Sequence, residues 1–303
     1  MSILKYNAFL KAIEYGSLTK AAEALVYTQP GISHMISSLE KEMGFPLLVR
    51  GKEGVFPTEN AEPLIYYMQR IVSAEDTLKE ISCKIRGIEI GSLKVGAFYS
   101  TSVKWVPPIV SRFSSLHPGV KLQVFEGNHY ELEEWLTNGT IDIGLMSMPV
   151  PENYDFIPLY KDSIMAVLPT EHPLARCEKV DPAELVNYPF IIPHDGGDED
   201  VWQVMNAENL TPEIKYRIKG DMATISMIGQ NLGVSLIPGL ALPFQFDNIV
   251  TRPLIREHSR VLGLAIRSIK HASPAAEEFI SITKEFLKTE GMLTGQQGLR
   301  PGQ

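Results

Sequence analysis

Cysteine and long apolar runs are both scarce in this sequence. Its two cysteines, Cys83 and Cys177, are too few and too far apart for a disulfide framework, which agrees with a reducing compartment. No stretch approaches the roughly 20 apolar residues that a membrane span requires. Residues 1–10 carry Lys5 and Asn7 inside their only apolar patch, which makes a poor signal-peptide core. We therefore expect a cytoplasmic protein without a membrane partner.

Motifs of common enzymes and metal sites are also missing. The sequence has no G-x-G-x-x-G, no phosphate-binding G-x-x-x-x-G-K-[ST] and no G-x-S-x-G nucleophile turn. His194, Asp195 and the acidic residues 198–200 form a cluster, but no His-x-x-His or Cys-x-x-Cys pair accompanies them. Acidic residues before a helix commonly stabilise its N-terminus instead. We therefore expect neither an enzyme nor a bound metal or cofactor.

The net charge of −8 does not suggest a nucleic-acid partner, because lysine and arginine supply much of the affinity for phosphates. The acidic excess lies beyond residue 60, however, since glutamates and basic residues balance before it. A chain of 303 residues, 44% of them hydrophobic and 21% charged, is expected to form two or three globular domains. Charge and composition therefore permit a DNA-binding N-terminal domain without predicting one.

The first sixty residues predict three helices and a hairpin. Apolar residues at helical spacing over 4–13 indicate a first helix, which Gly16 ends. Ser17 is suited to cap a second, alanine-rich helix, and Thr28 a third, whose first turn tolerates Pro30. On this spacing alone, a small helical subdomain remains an alternative to a DNA-binding module.

One face of the third helix is short and polar, opposite a face formed by Ile32, Ile36 and Leu39. Glutamine can pair with adenine, and serine can bond bases or phosphates, when they lie early in a helix that enters the major groove. Residues 50–54 form the tip of a hairpin, or wing, placed to touch the DNA backbone. The predicted DNA contacts are Ser17, Thr28, Gln29, Pro30, Ser33, His34, Ser37, Arg50 and Lys52.

These spacings resemble the DNA-binding signature of LysR-type transcriptional regulators. The matching residues are Phe9, Ala12, Gly16, Ser17, Ala21, Ala22, Leu25, Gln29, Pro30, Ser33, Ser38, Leu39, Glu40, Gly44, Leu47, Arg50 and Thr58. The resemblance implies a winged helix-turn-helix that reads promoter DNA. Three positions depart from the pattern: His34 stands where an Arg is common, Leu48 replaces a usual Phe, and Ala61 replaces a usual Gly. The contact that the usual Arg would make with a phosphate or base is therefore not expected at His34.

A heptad repeat of apolar residues follows the module. Its two series are Leu64, Ile71, Leu78, Ile85 and Tyr67, Ala74, Ile81, Ile88. Such a repeat buries its seam only against a partner helix, so it predicts a homodimer through a long linker helix. An ordinary amphipathic helix lying on its own domain is the alternative. A two-fold dimer would present two recognition helices to two half-sites.

The C-terminal two thirds alternate β-patterned and helical runs. Strands are predicted near 93–97, 122–125, 141–145, 164–168, 190–192, 216–218, 234–237 and 261–266. This βαβ pattern predicts an α/β fold in two lobes with a mainly parallel sheet. The region also resembles the two-lobed effector domain of the LysR family, which is similar to periplasmic binding proteins. The matching positions are Gly96, Pro107, Phe113, Pro118, Leu132, Gly139, Asp142 and residues 233–238.

The resemblance implies two crossings between the lobes, near Asp162 and Ile266. The expected organisation is a DNA-binding domain over 1–60, a linker helix over 61–90, an effector domain over 91–290 and a disordered tail over 291–303. Lobe I would take residues 91–162 and 267–290, and lobe II residues 163–266.

A cleft between two lobes is a natural site for a small molecule. Ser100, Thr101 and Ser102 follow the first strand directly, so their hydroxyls could hold an anion, or else simply cap the helix. The family resemblance also places an effector contact at Ser100. By the same resemblance the remaining contacts are Asn128, Met146, Ser147, Pro193, His194 and Thr224.

The sequence thus predicts a LysR-type regulator that binds double-stranded promoter DNA and a small, anionic effector. We expect a homodimer that assembles into a dimer of dimers, with RNA polymerase as a further candidate partner. A solute-binding protein shares the two-lobed architecture, and a cleft enzyme using His194 and a carboxylate is a second alternative. The effector, the operator, the direction of regulation and any redox role of the cysteines are left open.

Overall fold

The computed structural model describes residues 2–51, 54–85, 90–194, 198–242 and 247–292. The helices are α1 (Ile3–Glu14), α2 (Leu18–Leu25), α3 (Gln29–Met43), α4 (Glu62–Ile85), α5 (Tyr99–Lys104), α6 (Val106–Leu116), α7 (His129–Asn138), α8 (Pro182–Leu185), α9 (Glu199–Ala207), α10 (Asp221–Gly229) and α11 (Pro274–Thr289). The strands are β1 (Leu48–Gly51), β2 (Gly54–Pro57), β3 (Gly91–Ala97), β4 (Val120–Glu126), β5 (Ile143–Ser147), β6 (Asp155–Pro169), β7 (Phe190–Pro193), β8 (Ile214–Ile218), β9 (Ser235–Pro238), β10 (Ile249–Pro253) and β11 (Ser259–Ile266). Lys52, Ile88, Asp195 and residues 293–303 lie outside the described ranges, so the predictions made for them stay predictions.

Local signals set the ends of the N-terminal helices. Ser17 and Thr28 each accept a backbone N–H of the helix that follows them, α2 and α3 respectively. Gly16 and Gly44 adopt left-handed backbone (φ 58° and 84°) after α1 and α3, a conformation that costs little only for glycine. Strands β1 and β2 pair antiparallel as the predicted hairpin. The winged helix-turn-helix predicted from the sequence is thereby confirmed.

The long helix α4 connects this module to the rest of the chain. Near its start, Met68 is buried and Leu64 half-buried against the core of the module. Near its end, the Glu80 carboxylate accepts the backbone N–H of Ser92 at the start of β3, with Oε1···N at 2.7 Å. The helix is therefore attached at both ends. Neither α4 nor any other helix in the described ranges is long and apolar enough to cross a membrane.

Strands β3, β4 and β5 form the parallel part of lobe I. Strand β3 pairs in parallel with both β4 and β5, and β5 pairs antiparallel with β11 on its other side. Helices α6 and α11 bury Phe113 and Phe279 against this sheet, with ring centroids 5.9 Å apart. All three strands were predicted, although β5 begins at Ile143 rather than Ile141.

A single strand of 15 residues, β6, crosses from lobe I into lobe II. Residues 155–163 pair with β11, and residues 164–169 pair with β9 and β10. The sheet order is β10-β6-β11-β5-β3-β4, with β9 also paired to β6. All pairs made by β6 are antiparallel, so the prediction of a mainly parallel sheet is wrong. Alternation of strands and helices does not reveal the direction of a strand that arrives from the other lobe.

The second crossing lies earlier than the resemblance implied. Strand β11 pairs with β5 and β6, and Leu262 and Leu264 are buried in the core of lobe I. The chain has therefore returned by Ser259, not near Ile266, so lobe II ends near His258. The apolar pattern of β11 suits either lobe, and only its long-range pairing decides between them.

In lobe II, alternate residues of β6 face two different helices. Ala166 and Leu168 pack in a core with α9, whereas Val167 packs in a second core with α10. Strands β7 and β8 pair in parallel beside them. Strand β10 was not predicted, because its residues are mostly half-buried and it ends in proline, which is rare within sheets.

Candidate DNA-binding face and interlobe cleft

The polar face of α3 is exposed, as the sequence predicted. Gln29, Pro30, His34 and Ser37 are exposed, and Ser33 is half-buried. On the opposite side, Ile32, Ile36 and Leu39 are fully buried. A polar helix face that projects from a packed core suits insertion into the major groove. The structure brings the predicted residues of α3 onto one surface, and their contacts with bases stay predictions.

The wing lies beside α3 and contacts it. Arg50 Nη2 donates to Ser33 Oγ at 3.3 Å. Glu40 Oε1 accepts the backbone N–H groups of Leu47 (2.8 Å) and Leu48 (3.2 Å), which holds the base of the wing on the end of α3. Glu40 matches the family signature in the sequence, but this contact was not predicted from it. A carboxylate in the last turn of a helix, where the helix dipole disfavours it, is the signal that could have found it.

Ser17 and Thr28 cap their helices with their side-chain oxygens, at O···N distances of 3.3 Å. Each hydroxyl keeps its hydrogen, which a phosphate oxygen can accept. Helix N-termini also attract phosphate groups through their free N–H groups and dipole. Both residues therefore suit contacts with the DNA backbone better than with bases.

The linker seam is the apolar stripe on α4 that the heptad predicted. Its exposed members are Tyr67, Ile71, Ala74, Leu78, Ile81 and Ile85. The five larger side chains are 42% to 81% exposed. Leu64 is the exception, because it packs half-buried on its own N-terminal module. An exposed apolar stripe of this length needs a partner helix to leave water.

The hydroxyls predicted to hold an anion in the cleft are largely occupied. Ser100 is buried and its Oγ accepts a hydrogen bond from Arg260 Nη2 at 3.0 Å. Thr101 is fully buried and donates to the carbonyl oxygen of Phe98 at 3.0 Å. Ser102 Oγ is buried and has no hydrogen-bond partner among the described residues. Helix α5 spans only six residues, so its N-terminus is a weak source of anion affinity.

Arg260 is the centre of the polar contacts between the lobes. Its guanidinium is 3.0 Å from Asp162 Oδ2 through Nη2 and 2.9 Å from Asp200 Oδ2 through Nη1. Asp162 also accepts the backbone N–H of Leu240 at 2.9 Å. Arg260, Asp162 and Ser100 belong to β11, β6 and α5, whereas Asp200 lies on α9 of lobe II.

Arg260 was not predicted from the sequence, and Asp162 was predicted only as the place of a crossing. A charged residue within or beside an apolar strand was the available signal, since buried charges are rare unless they are paired. Burial raises the pKa of the Asp162 carboxyl, and the Arg260 charge acts against that shift. Arg260 and Asp162 therefore form a buried ion pair at the border of the two lobes.

Two more predicted effector residues have structural roles of their own. Asn128 caps α7 through a reciprocal hydrogen-bond pair with Glu131. Thr224 is fully buried and donates to the carbonyl oxygen of Gly220 at 3.2 Å.

The other four lie at the ends of strands. Met146 is fully buried in lobe I, Ser147 and Pro193 are buried at the ends of β5 and β7, and His194 is exposed. Of the nine residues predicted to contact the effector, Ser100 is thus the one that contacts Arg260.

The acidic residues Asp198 and Glu199, at the start of α9, both contact other side chains of the protein. Glu199 Oε2 lies 3.7 Å from His129 Nδ1 on α7, and Asp198 accepts the indole N–H of Trp202 at 2.8 Å. Among the residues that the structure describes, no three His, Cys, Asp or Glu side chains are grouped closely enough to hold a metal ion.

Asp221, at the start of α10, is a further carboxylate near these contacts. Its burial raises the pKa of its carboxyl from 3.8 to about 6; the Arg260 charge opposes that shift and the Asp200 charge adds to it. The folded protein therefore binds a proton at Asp221 at pH values where the unfolded chain has lost it. Stability contributed by this group is lost as the pH rises from about 4 to about 6.

Asp221→Asn is therefore expected to raise the free energy of unfolding at pH 7 by about 2–3 kcal/mol, since one pKa unit corresponds to about 1.4 kcal/mol. The gain should shrink toward zero as the pH falls below the unfolded-state pKa of 3.8, where wild-type Asp221 is protonated in both states. Urea unfolding across this pH range measures the effect. Asp76→Asn, at a carboxylate on α4 whose side chain is 51% exposed, is the control. Equal pH profiles for both variants would contradict the assignment.

Family models and relatives match both halves of the chain. The model described as "Bacterial regulatory helix-turn-helix protein, lysR family" matches residues 4–62, and "LysR substrate binding domain" matches residues 86–288. The uncharacterized HTH-type transcriptional regulator YvbU of Bacillus subtilis is 30% identical over 296 residues, covering 96% of this chain and 100% of YvbU. The Hca operon transcriptional activator HcaR of Escherichia coli is 29% identical over 293 residues, covering 95% and 98% of the two chains.

Solved structures share the whole fold. A full-length OxyR variant from Pseudomonas aeruginosa has a TM-score of 0.79 at 20% identity, covering 98% of this chain and 99% of its own. Full-length CbnR, solved in a complex with target DNA, has a TM-score of 0.65 at 18% identity, covering 94% and 99%. The relatives are transcriptional regulators, which favours a regulator over a solute-binding module or a cleft enzyme. This chain belongs to the LysR family of bacterial DNA-binding transcriptional regulators.

Proposed function

We propose that this regulator reads promoter DNA with the exposed face of α3 and responds to a small molecule bound between its two lobes. The observation that carries the proposal is the polar surface of Gln29, Pro30 and Ser33, with Arg50 of the wing in contact with Ser33. Gln29 and Ser33 would contact base edges, and Arg50 a phosphate. A promoter target would place the protein in the cytoplasm, with RNA polymerase as a further partner.

Pairing through the linker seam supports the same proposal. The DNA-binding module has little spare positive charge, since Lys5 pairs with Glu42 and Lys11 with Glu14. One module would therefore bind DNA weakly, because affinity grows with the number of phosphates neutralised. Two copies joined through α4 double these contacts, and a dimer of dimers doubles them again. An effector would act by favouring one arrangement of the copies, which requires unequal affinity for the two arrangements.

Gel-shift titration of the pure protein on the promoter beside its own gene tests the proposal. We expect a sequence-specific band, and Gln29→Ala should weaken it by about 5- to 150-fold, the value of one bidentate base contact of 1–3 kcal/mol. Binding to unrelated DNA should be unchanged by Gln29→Ala. Arg50→Ala should instead weaken binding to both the promoter and unrelated DNA. It should also reduce the slope of log binding constant against log salt concentration by about one. Equal affinity of the wild type for both DNAs would overturn the proposal.

A further inference from the structure

Arg260 has two carboxylate partners that differ in how firmly they are held. Asp162 lies directly opposite Arg260 in the β6–β11 pairing, and its side chain is 1% exposed. It is also fixed by the backbone N–H of Leu240. Asp200 comes from the other lobe, makes one contact of 2.9 Å with Arg260, and is 18% exposed. Asp162 is therefore a permanent partner, and Asp200 is the partner that can leave.

We propose that Asp200 occupies the position of a carboxylate ligand on Arg260 and Ser100, and that an effector carrying a carboxylate or a similar planar oxyanion displaces it. This inference rests on the proposed function, in which the cleft between the lobes binds the effector. It keeps the anionic class of ligand that the sequence suggested, but it moves the binding group from the helix N-terminus to the Arg260 guanidinium.

The chemistry of the three side chains supports an exchange. A guanidinium presents a planar set of N–H donors that matches a carboxylate. Ser100 Oγ accepts from Arg260 Nη2, so its own hydrogen is free to be donated to the incoming oxygen. The two groups together provide donors for both oxygens of a carboxylate at one position.

Charge determines that the ligand must replace Asp200 rather than join it. Arg260 already faces Asp162 and Asp200, so a third carboxylate added beside them would be repelled. In an exchange, the number of carboxylates on Arg260 is unchanged. Asp200 lies in the first turn of α9, where the helix dipole favours a carboxylate even when it is released into water.

Release of Asp200 also removes a contact between the lobes, because Arg260 belongs to β11 of lobe I and Asp200 to α9 of lobe II. Ligand binding would thus be coupled to the arrangement of the lobes. Only molecules in which Asp200 is already released can bind the ligand. The apparent ligand Kd of the wild type is therefore the intrinsic Kd divided by the fraction of such molecules.

Chemical rescue by acetate in the full chain, without DNA, is the test. Asp200→Ala removes the internal carboxylate and leaves Arg260 and Ser100 in place. With sodium chloride replaced by sodium acetate at constant ionic strength, we expect acetate to raise the melting temperature of the variant in a saturable way. The apparent acetate Kd of the wild type should be higher by about tenfold or more, because Asp200 competes.

Glu199→Ala is the matched control. It also removes one carboxylate from the first turn of α9, but the Glu199 side chain faces His129 instead of Arg260. An enhanced acetate response in Glu199→Ala would overturn the proposal, because removal of any carboxylate would then suffice. Adding Ser100→Ala to Asp200→Ala should weaken the rescue. If circular dichroism shows that Asp200→Ala does not fold, Asp200→Asn keeps the shape, removes the charge, and should respond in the same direction.

Two further outcomes would contradict the exchange. One is an absent acetate response, or an equal one, in folded Asp200 variants and the wild type. The other is stabilisation of the wild type by ethylammonium chloride in place of acetate, which would mean that the carboxylates bind a cation. DNA binding is not part of this readout, so failure of the gel shift would overturn the proposed function without affecting this result.

Discussion

Replacing Arg260 with methionine is expected to lower the free energy of unfolding by about 3–5 kcal/mol, because it leaves a buried carboxylate without its counter-charge. Asp162 is that carboxylate, with a side chain 1% exposed. Methionine is flexible and fills irregular space, so the loss should report the missing charge more than a cavity. The loss should shrink at low pH, where protonated Asp162 needs no partner. Urea unfolding of the full chain, followed by the tryptophan fluorescence to which buried Trp105 contributes, measures it.

Arg256→Met is the matched control for this prediction. Arg256 lies four residues earlier and pairs with Glu208, but its side chain is 58% exposed. Exposed ion pairs contribute about 0–1 kcal/mol, so this variant should stay within that range. Adding Asp162→Asn to Arg260→Met should recover part of the lost stability by removing the unpaired charge. Equal losses for the two arginine variants would show that Arg260 is not held as a buried ion pair.

Leu78→Glu in the linker seam is expected to separate the two copies that would pair through α4. It should also weaken binding to a two-half-site operator by about 10²- to 10⁴-fold, the usual gain from joining two binding modules. Leu78 is 67% exposed in the single chain, so the substitution leaves the folded protomer intact. In a dimer the glutamate would have to be buried beside its counterpart. Light scattering measures the mass, and gel shifts on one-half-site and two-half-site DNA measure the affinity.

The neighbouring substitution Lys79→Ala tests whether the effect belongs to the seam. Lys79 is exposed on the same helix and pairs with Glu75 one turn earlier at 3.2 Å. It lies outside the heptad positions, so the variant should stay dimeric and bind the operator like the wild type. If the Leu78→Glu protein were still dimeric and bound the operator with unchanged affinity, the linker seam would not be the contact that pairs the two copies.

The N-terminal module could be predicted closely because its signals are local. Ser17 and Thr28 cap helices that begin one residue later, and Gly16 and Gly44 end helices through their own backbone conformation. A heptad likewise shows which side of a helix is apolar. It does not show what covers that side, and Leu64 illustrates this, because its heptad position coincides with a contact to its own module.

The cleft could be predicted only in outline, because its contacts join distant parts of the chain. Arg260 meets Ser100 across 160 positions in the sequence and Asp162 across 98. No spacing rule relates such residues, and the same pairing also decides to which lobe β11 belongs. The sequence shows only that the hydroxyls of residues 100–102 follow a strand. Which of these hydroxyls can bind an anion depends on the Arg260 guanidinium, which donates a hydrogen bond to Ser100 and is distant in sequence.

The continuous strand β6 limits where chains of this architecture can gain or lose residues. It is paired on both sides of the crossing, and its side chains alternate between two cores in lobe II. One inserted residue would turn every following side chain to the opposite face, so Val167 and Leu168 would exchange cores. The return crossing contains exposed residues at 255–257. Variation in chain length between the lobes should therefore accumulate at the return, which is also the place for an inserted label.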